Sequence, residues 1–207
     1  MNALEGLDWP RPTRRLELRP ATAADAPEVH AYRSRPEVYR YLGNGPLDEA
    51  GTAALMTARA GPSGTPLVRV VARRREDGVL VGDGVLGLRR PGILPGAPGG
   101  PGDGLTDGWI GYCVAPEHTG QGLATEIARA LLELGFDVLG LRRVTATVFA
   151  EHEPSRRVLQ RVGMRHEARF VAAVLDREGR WLDDDAYAVL RPEWERRHQG
   201  RPAGSGP

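Results

Sequence analysis

The most informative part of the sequence is the stretch Val114-Ala115-Pro116-Glu117-His118-Thr119-Gly120-Gln121-Gly122-Leu123-Ala124-Thr125. Strand-forming residues precede Ala115-Pro116 and helical spacing begins at Leu123, so the stretch is predicted to join a strand to a helix. The first backbone N–H groups of a helix have no partner inside the helix and carry the positive end of its dipole, so they bind phosphate-like anions. Gly120 and Gly122 remove side chains that would keep the backbone away from a pyrophosphate, and Ala124 keeps the first turn slim. The stretch therefore predicts a phosphate-binding loop.

A glycine pair at a helix start is also typical of a loop that only turns the chain, and the local residues alone leave both interpretations open. Two familiar phosphate loops are excluded here. The P-loop requires a lysine, whereas all 28 basic residues of this chain are arginine. The dinucleotide fingerprint requires G-x-G-x-x-G after the first strand of a repeated βαβ unit, an arrangement that this stretch lacks. The absence of lysine also excludes a Schiff base and a lysine general base.

The segments after this stretch are predicted to alternate between helices and strands. The strongest helix runs from Leu123 to Leu139 and stops at Gly140, with a predicted apolar face of Ile127, Ala130, Leu131, Leu134 and Val138. The run Val144–Val148 predicts a buried strand. The next helix begins at Glu153-Pro154 and ends at Gly163, with its inward face at Val158, Leu159 and Val162. Two further strands are predicted at Phe170–Leu175 and Asp185–Leu190.

The segments before it predict a strand, short helices and a hairpin. The alternation in Arg15–Arg19 predicts a strand that Pro20 stops, Thr22 with Asp25 resembles a capping box that starts a helix, and a second helix is predicted from Asp48 to Arg59. A tight turn at Asp77-Gly78 predicts a hairpin of Leu67–Ala72 with Val79–Val81, and Trp109–Val114 predicts a strand. Pro91–Gly104 is predicted to be a long loop, and Met1–Thr13 and Arg196–Pro207 to be tails around one domain over 14–195.

Bulk composition excludes several classes of function. The formal net charge is +1, so no global field recruits nucleic acid or a membrane surface. The single cysteine, Cys113, cannot form an internal disulfide, and paired metal ligands are missing. No apolar run approaches the ~20 residues of a membrane helix, and the first residues lack the layout of a signal peptide. These features predict a cytoplasmic protein without a metal. The order of the predicted strands and helices predicts an α+β fold with a largely antiparallel sheet and one parallel crossover.

The phosphate loop resembles the acetyl-CoA signature of the GCN5-related N-acetyltransferase (GNAT) superfamily, [Arg/Gln]-x-x-Gly-x-[Gly/Ala]. The match runs from Thr119 to Ala124, with Thr119 in place of the usual Arg or Gln. Further segments are similar to the branch of ribosomal-protein serine and alanine N-terminal acetyltransferases and their small-molecule and antibiotic relatives: Arg15-Leu16-x-Leu-Arg19-Pro20, Pro36-Glu37-Val38-x-Arg40-Tyr41-Leu42, Ile110-Gly111-Tyr112, Leu141-x-Arg143-Val144, Ser155-x-x-Val158-Leu159-x-x-x-Gly163-Met164 and Trp181-x-Asp183-Asp184. The resemblance implies a mostly antiparallel seven-stranded sheet with about four helices and a splayed central strand pair.

The resemblance also implies a reaction. An unprotonated primary amine attacks the thioester of acetyl-CoA in a ternary complex, a backbone N–H near Val114 holds the oxyanion, and the pantetheine arm lies between the splayed strands. The cofactor-binding residues that it implies are Cys113, Val114, Thr119, Gly120, Gln121, Gly122, Leu123, Ala124, Thr125, His152 and Ser155.

The catalytic residues are less completely matched. Ser155 corresponds to a serine that relatives place near the acetyl-CoA sulfur, although a serine at a helix start can also simply cap the helix. Relatives have a tyrosine acid where this chain has Leu159, and an asparagine where it has His152. The position of the family's glutamate base holds Trp109, which leaves Asp107, a water chain or an amine that arrives neutral. The candidates for the acceptor pocket are Tyr32, Arg40, Tyr41 and Trp109.

Three functional alternatives remain at this stage. The first is an enzyme that acetylates a small-molecule amine or a protein N-terminus. The second is a weakly catalytic acyl-CoA sensor or partner module on the same fold, which the departures at Thr119 and His152 would suit. The third is an enzyme that uses another acyl donor such as succinyl-CoA, for which an arginine near the acyl end would be the carboxylate partner. Relatives are often dimers, so the resemblance leaves a homodimer open.

Overall fold

The computed structural model describes residues 4, 6–61, 63–92, 104 and 106–198. Most of the predicted Pro91–Gly104 loop therefore lies outside the described residues. The strands are β1 (Arg11–Pro12), β2 (Leu16–Pro20), β3 (Leu67–Arg74), β4 (Leu80–Arg89), β5 (Asp107–Val114), β6 (Arg143–Phe149), β7 (Arg165–Leu175) and β8 (Trp181–Leu190). The α-helices are α1 (Ala26–Arg33), α2 (Pro36–Tyr39), α3 (Glu49–Thr57), α4 (Leu123–Glu133), α5 (Glu153–Arg161) and α6 (Arg191–His198).

The eight strands form one sheet in the order β1-β2-β3-β4-β5-β6-β8-β7. Every neighbouring pair is antiparallel except β5 with β6, which confirms the predicted α+β class with one parallel crossover. The described residues give eight strands and six α-helices where seven and about four were predicted. The additional strand is β1, whose Arg11 pairs with Leu18, so the predicted N-terminal tail already contributes to the sheet.

The parallel pair separates soon after it starts. β5 pairs with β6 only where Asp107–Trp109 lie opposite Arg143–Thr145. Beyond this point β5 stays paired with β4 up to Val114, and β6 stays paired with β8 up to Phe149. The two strands therefore diverge into a V-shaped gap, which confirms the predicted splayed pair. The strand β5 ends at the loop that leads into α4, so the gap opens beside that loop.

Helices cover both faces of the sheet. α4 and α5 bury one face, where Ile127, Ala130, Leu131 and Leu134 lie in the larger core as predicted. Val138 was expected there, but 44% of it is exposed. The reason is a π-helical turn over Leu134–Val138, in which the N–H of Leu139 donates to the carbonyl of Leu134; the wider turn moves Val138 off the apolar face. α1 and α3 cover the opposite face with a smaller core that includes Val29, Met56 and Cys113.

The C-terminal boundary also differs from the prediction. The predicted tail began at Arg196, but α6 continues to His198. Trp194 of this helix is buried, stacks on Phe136 and donates its indole N–H to Asp137 at 2.8 Å. The helix is therefore packed against the π-helical turn. No helix within the described part of the chain is long and apolar enough to cross a membrane.

Candidate functional site

The loop between β5 and α4 has the backbone geometry expected of the predicted phosphate-binding loop. Gly120 and Gly122 have φ angles of +73° and +77°, a region that side chains rarely adopt. Gly122 is the N-cap of α4 and makes no side-chain cap hydrogen bond, so the first N–H groups of the helix, at Leu123, Ala124 and Thr125, are not occupied by a cap. Glycines with positive φ next to a helix start form an anion-binding nest.

Thr119 does not take the part of the arginine or glutamine that it replaces. Its hydroxyl donates to the carbonyl of Pro116 at 2.8 Å and so closes the short turn Pro116–His118 that precedes the glycines. Gln121 is exposed and its side-chain amide donates to the carbonyl of Glu117 at 3.3 Å. Neither side chain projects a charge toward the nest, which is therefore made of backbone.

Arg15, at the start of the sheet, supplies the positive charge beside this loop. Its guanidinium donates to the carbonyl of Gln121 at 2.9 Å, and a Cβ placed on Gly122 would lie 3.6 Å from its Nη2. Glu126 in the first turn of α4 holds Arg15 through the Nε, Nη2 and backbone N–H groups of that arginine, at 2.7–2.8 Å. Burial opposes the ionisation of Glu126, but hydrogen bonds from Thr13 and Arg15 outweigh it and lower its pKa.

Backbone groups of β5 face the gap between β5 and β6. The N–H of Ala115 donates to the carbonyl of Val81 at 3.0 Å, so it points toward β4. Successive N–H groups of a strand alternate in direction, so the N–H groups of Val114 and Tyr112 point the opposite way, into the gap. This is where the sequence predicted an oxyanion donor near Val114. The carbonyl of Cys113 instead lies against Gly82 of β4, 2.3 Å from the position of a Cβ built there.

Ser155 lies across the gap from Tyr112. The phenolic oxygen of Tyr112 is 2.9 Å from Oγ of Ser155 and 3.2 Å from the Ser155 carbonyl. The N-cap of α5 is His152 rather than Ser155, so the interpretation of Ser155 as a simple helix cap is wrong. Burial raises the pKa of Tyr112 far above its usual value, although the hydrogen bond with Ser155 opposes this, and Tyr112 therefore stays protonated.

His152 joins the N-terminal end of α5 to the segment after α2. Its ring stacks on Tyr41 with centroids 4.0 Å apart, and the guanidinium of Arg40 lies 5.0 Å from the centroid of Tyr41. Arg177, in the turn between β7 and β8, donates to the carbonyl of Leu42 at 3.2 Å. Burial lowers the pKa of His152; Glu151 opposes this and Arg40 adds to it, so the net shift is downward and the imidazole is neutral near pH 7. Arg40, Tyr41 and His152 thus form one stack, which brings two predicted acceptor residues next to a predicted cofactor residue.

The other predicted acceptor residues lie on the face covered by α1. Tyr32 is buried and its hydroxyl donates to Asp83 at 2.5 Å, while Arg33 donates to both oxygens of Asp83 at 2.8 and 2.6 Å. Burial raises the pKa of Tyr32 well above its ordinary value. The Cys113 side chain lies in the same core, where burial and then Asp83 raise its pKa to about 12. Tyr32 and the Cys113 thiol are therefore packed inside the protein, and the predicted contact of Tyr32 with an acceptor is not supported.

Asp107 is not placed as a general base. It is the first residue of β5 rather than a loop residue, it is buried, and it accepts two hydrogen bonds from Arg142, at 3.1 and 2.7 Å. Because both carboxylate oxygens are engaged by a cation, Asp107 holds the closed end of the β5–β6 pair. Trp109, two residues further along, is partly exposed and its indole covers Gly87, where a Cβ would lie 2.2 Å from Nε1.

Two residues of the site had no assigned role in the sequence. Tyr112 could have been found from the period of two along β5, since it projects from the same side of the strand as Val114. Arg15 gives no local signal, because its contacts with the loop span 106 residues of sequence. Within the described ranges, no cluster of three or more His, Cys, Asp or Glu side chains is placed to hold a metal ion.

Comparisons with known proteins agree with this geometry. The family described as the acetyltransferase (GNAT) domain matches residues 15–165. YnaD of Bacillus subtilis (strain 168), named an N-acetyltransferase, is 29% identical over 182 residues, which cover 88% of this chain and 97% of that protein. A GNAT-family acetyltransferase from Bacillus anthracis has a TM-score of 0.71 at 26% identity, covering 89% of this chain and 99% of that chain. RimJ of Mycobacterium smegmatis, solved with CoA-disulfide, has a TM-score of 0.68 at 26% identity, covering 86% of this chain and 83% of that chain.

Proposed function

Because the chain belongs to the acetyltransferase (GNAT) family, we propose that the nest at Gly120–Thr125 and the β5–β6 gap beside it bind acetyl-CoA for transfer to an amine. The observation that carries this proposal is the continuity of the two features. β5 ends at Val114, where the gap is open, and the uncapped start of α4 follows eight residues later at Gly122. One elongated ligand with an anionic group at one end could occupy the nest and the β5–β6 gap together.

The pyrophosphate end fits the nest for electrostatic reasons. The free N–H groups at the start of α4 and the helix dipole favour an anion, and the glycines leave the backbone open to it. Arg15 adds a cation at the edge of the nest and balances the charge of Glu126, which would otherwise repel phosphate. In this proposal Arg15 compensates for the arginine or glutamine that Thr119 replaces.

The acyl end fits the gap. The N–H groups of Val114 and Tyr112 point into it and supply donors for a thioester carbonyl and for the oxyanion that forms on attack. Acetyl-CoA contributes an activated acyl group with a thiolate leaving group. Ser155 is placed to donate a hydrogen bond to that sulfur, and Tyr112 holds the Ser155 hydroxyl from the opposite strand at 2.9 Å. A free thiol has a pKa of ~8.5, so a hydroxyl donor is sufficient help.

The amine enters from the side of the Arg40–Tyr41–His152 stack. His152 is the neutral imidazole of this region, so it is the side chain best suited to take a proton from the incoming amine, directly or through water. Asp107 is not proposed for this step, because Arg142 occupies both of its oxygens. The acceptor is a primary amine of a small molecule or of a protein N-terminus.

The test uses purified protein, acetyl-CoA and a panel of primary amines, with release of free thiol as the measurement. Gly122→Leu should raise KM for acetyl-CoA at least tenfold, because a side chain would occupy the nest. Gly179→Leu is the matched control, since Gly179 has the same φ of +77° but lies in the β7–β8 turn with no atom within 4 Å of a Cβ. Both variants carry the same backbone strain of roughly 1–2 kcal/mol. Equal acetyl-CoA affinity in the two variants, or no thiol release with any amine, would contradict the proposal.

A further inference from the structure

Arg69 lies on the face of the sheet that α1 and α3 cover. It is in register with Val85 of β4, and Val85 is in register with Gly111 of β5, so the three residues form one row across the sheet. Val71, two residues along β3, packs in the smaller core against Val29 of α1, so Arg69 projects from this same face. The row ends at Gly111 on β5, and β5 is also the strand that lines the proposed acyl site.

The guanidinium of Arg69 makes no direct ion pair among the described residues, although the charge of Asp83 acts on it from a distance. Its Nε is buried and has no hydrogen-bond partner, and no carboxylate in the described part of the chain forms an ion pair with it. The carboxylate of Asp83 on the same face is already held by Arg33 and Tyr32. Burial, and then repulsion from Arg33, lower the pKa of Arg69 to about 10, although the charge of Asp83 opposes this, so Arg69 remains a cation at neutral pH.

A partly buried cation without a partner is costly, and native proteins rarely keep one that has no use. Charged side chains taken out of water are normally paired, and arginine prefers the two parallel hydrogen bonds that a carboxylate accepts. Replacing Arg69 by a neutral side chain would therefore be expected to leave the fold intact or to stabilise it. In the parent protein, a bound ligand with a carboxylate would pair with the guanidinium and offset the free-energy cost of its burial.

The surface beside Arg69 leaves room for such a ligand. Gly111 is partly exposed, and a Cβ placed there would contact only Cγ1 of Val85, at 3.2 Å. Trp109, on the same face of β5, is partly exposed, and its indole lies flat over Gly87 rather than over Gly111. Gly111 therefore adds no side chain to this row. Trp109 lies two residues along β5, and Arg69 lies two strands away, on the far side of the buried Val85.

We propose that Arg69 binds a carboxylate of one of the two reactants over Gly111, an inference that rests on the proposed function. The carboxylate belongs either to the acceptor amine, as in an amino acid or a peptide with an acidic group, or to the acyl group of the donor, as in succinyl-CoA. In both cases the recognition is the same bidentate contact with the guanidinium, and in both cases Arg69 determines specificity rather than performing chemistry.

The first measurement is selectivity in thiol release by the parent, Arg69→Gln and Arg14→Gln. Arg14 is exposed, so its variant removes one charge without disturbing the site. One arm compares amine pairs that differ only in a carboxylate, such as glycylglycine with glycylglycinamide, and the other compares succinyl-CoA with acetyl-CoA. We expect a preference of at least tenfold in kcat/KM for the carboxylate in one arm, lost in Arg69→Gln and kept in Arg14→Gln. The arm in which it occurs identifies the reactant.

The second measurement does not depend on turnover. Glutarate should raise the melting temperature of the parent and of Arg14→Gln but not of Arg69→Gln, and the uncharged glutaramide should raise none of them. A glutarate shift without thiol release for any amine would keep the Arg69 site and overturn the proposed function. If thiol release occurs but neither the substrate selectivity nor the glutarate shift in melting temperature depends on Arg69, the Arg69 site is overturned and the proposed function is kept.

Discussion

The hydroxyl of Tyr112 lies 2.9 Å from Oγ of Ser155 and so connects β5 to α5 across the gap between β5 and β6. The family resemblance would place a tyrosine on the helix itself, where this chain has Leu159. Here a tyrosine comes from the opposite strand and its hydroxyl contacts the serine. In the proposed reaction this contact would make Tyr112 a positioning residue for Ser155.

Ser155→Ala is therefore expected to lower kcat for thiol release about tenfold or more, with little change in KM for acetyl-CoA. Tyr112→Phe removes one hydrogen bond of about 1 kcal/mol and should lower kcat roughly fivefold. The double variant should be no slower than Ser155→Ala alone, because Tyr112 acts through the serine. Tyr187→Phe is the control, since the buried Tyr187 hydroxyl has no hydrogen-bond partner among the described residues. Additive losses in the double variant would contradict the coupling.

The pair Arg15 and Glu126 should control affinity for acetyl-CoA. Arg15→Gln leaves the carboxylate of Glu126 unbalanced beside the nest, so KM for acetyl-CoA should rise about tenfold. Arg15→Gln combined with Glu126→Gln should recover part of this loss, because the repulsive charge is also gone. Steady-state kinetics at two salt concentrations would check both points. If the double variant bound acetyl-CoA more weakly than Arg15→Gln, the electrostatic explanation would be wrong.

His152 should make stability depend on pH. Its folded-state pKa is lowered by burial and by Arg40, whereas an unfolded histidine titrates near ~6.5. Below that pH the unfolded chain binds a proton that the folded chain resists, so stability is lost as the pH falls. The melting temperature of the parent should drop between pH 7.5 and 5.5, and His152→Asn should show a smaller drop. Identical pH slopes for the two proteins would rule out a buried neutral imidazole.

The sequence predicted the sheet well where strands carry β-branched residues and poorly where they carry glycine. β4 was expected only at Val79–Val81, but it extends to Arg89 through three glycines. Each glycine is required by a contact from another part of the fold. A Cβ on Gly82 would lie 2.3 Å from the Cys113 carbonyl oxygen. The side chain of Leu131 packs on Gly84, and the indole of Trp109 packs on Gly87. Local patterns contain no information about these neighbours, so the interior of the strand resembled a loop.

The candidate site likewise has one part that depends on neighbouring residues in the sequence and another that depends on tertiary packing. The proposed phosphate-binding loop is local, because positive φ at two glycines and an uncapped helix start follow from consecutive residues. The pairing of Tyr112 with Ser155 joins residues 43 positions apart, and the isolation of Arg69 depends on Asp83 being occupied by Arg33. Such features depend on how strands and helices pack, so a single sequence can suggest the residue types but not their partners.

Asp83 is expected to be the most sensitive charged residue of the fold. Its side chain is nearly inaccessible and accepts hydrogen bonds from Arg33 and from Tyr32, so Asp83→Asn would leave a buried arginine without its counter-charge. Removing one partner of a buried ion pair costs about 3–5 kcal/mol. Asp77→Asn, which breaks the exposed pair with Arg74, should cost at most about 1 kcal/mol. Urea unfolding of the two variants measures the difference. Equal stability would mean that Arg33 relaxes into solvent when the carboxylate is lost, and the buried pair would then contribute little to the stability of the fold.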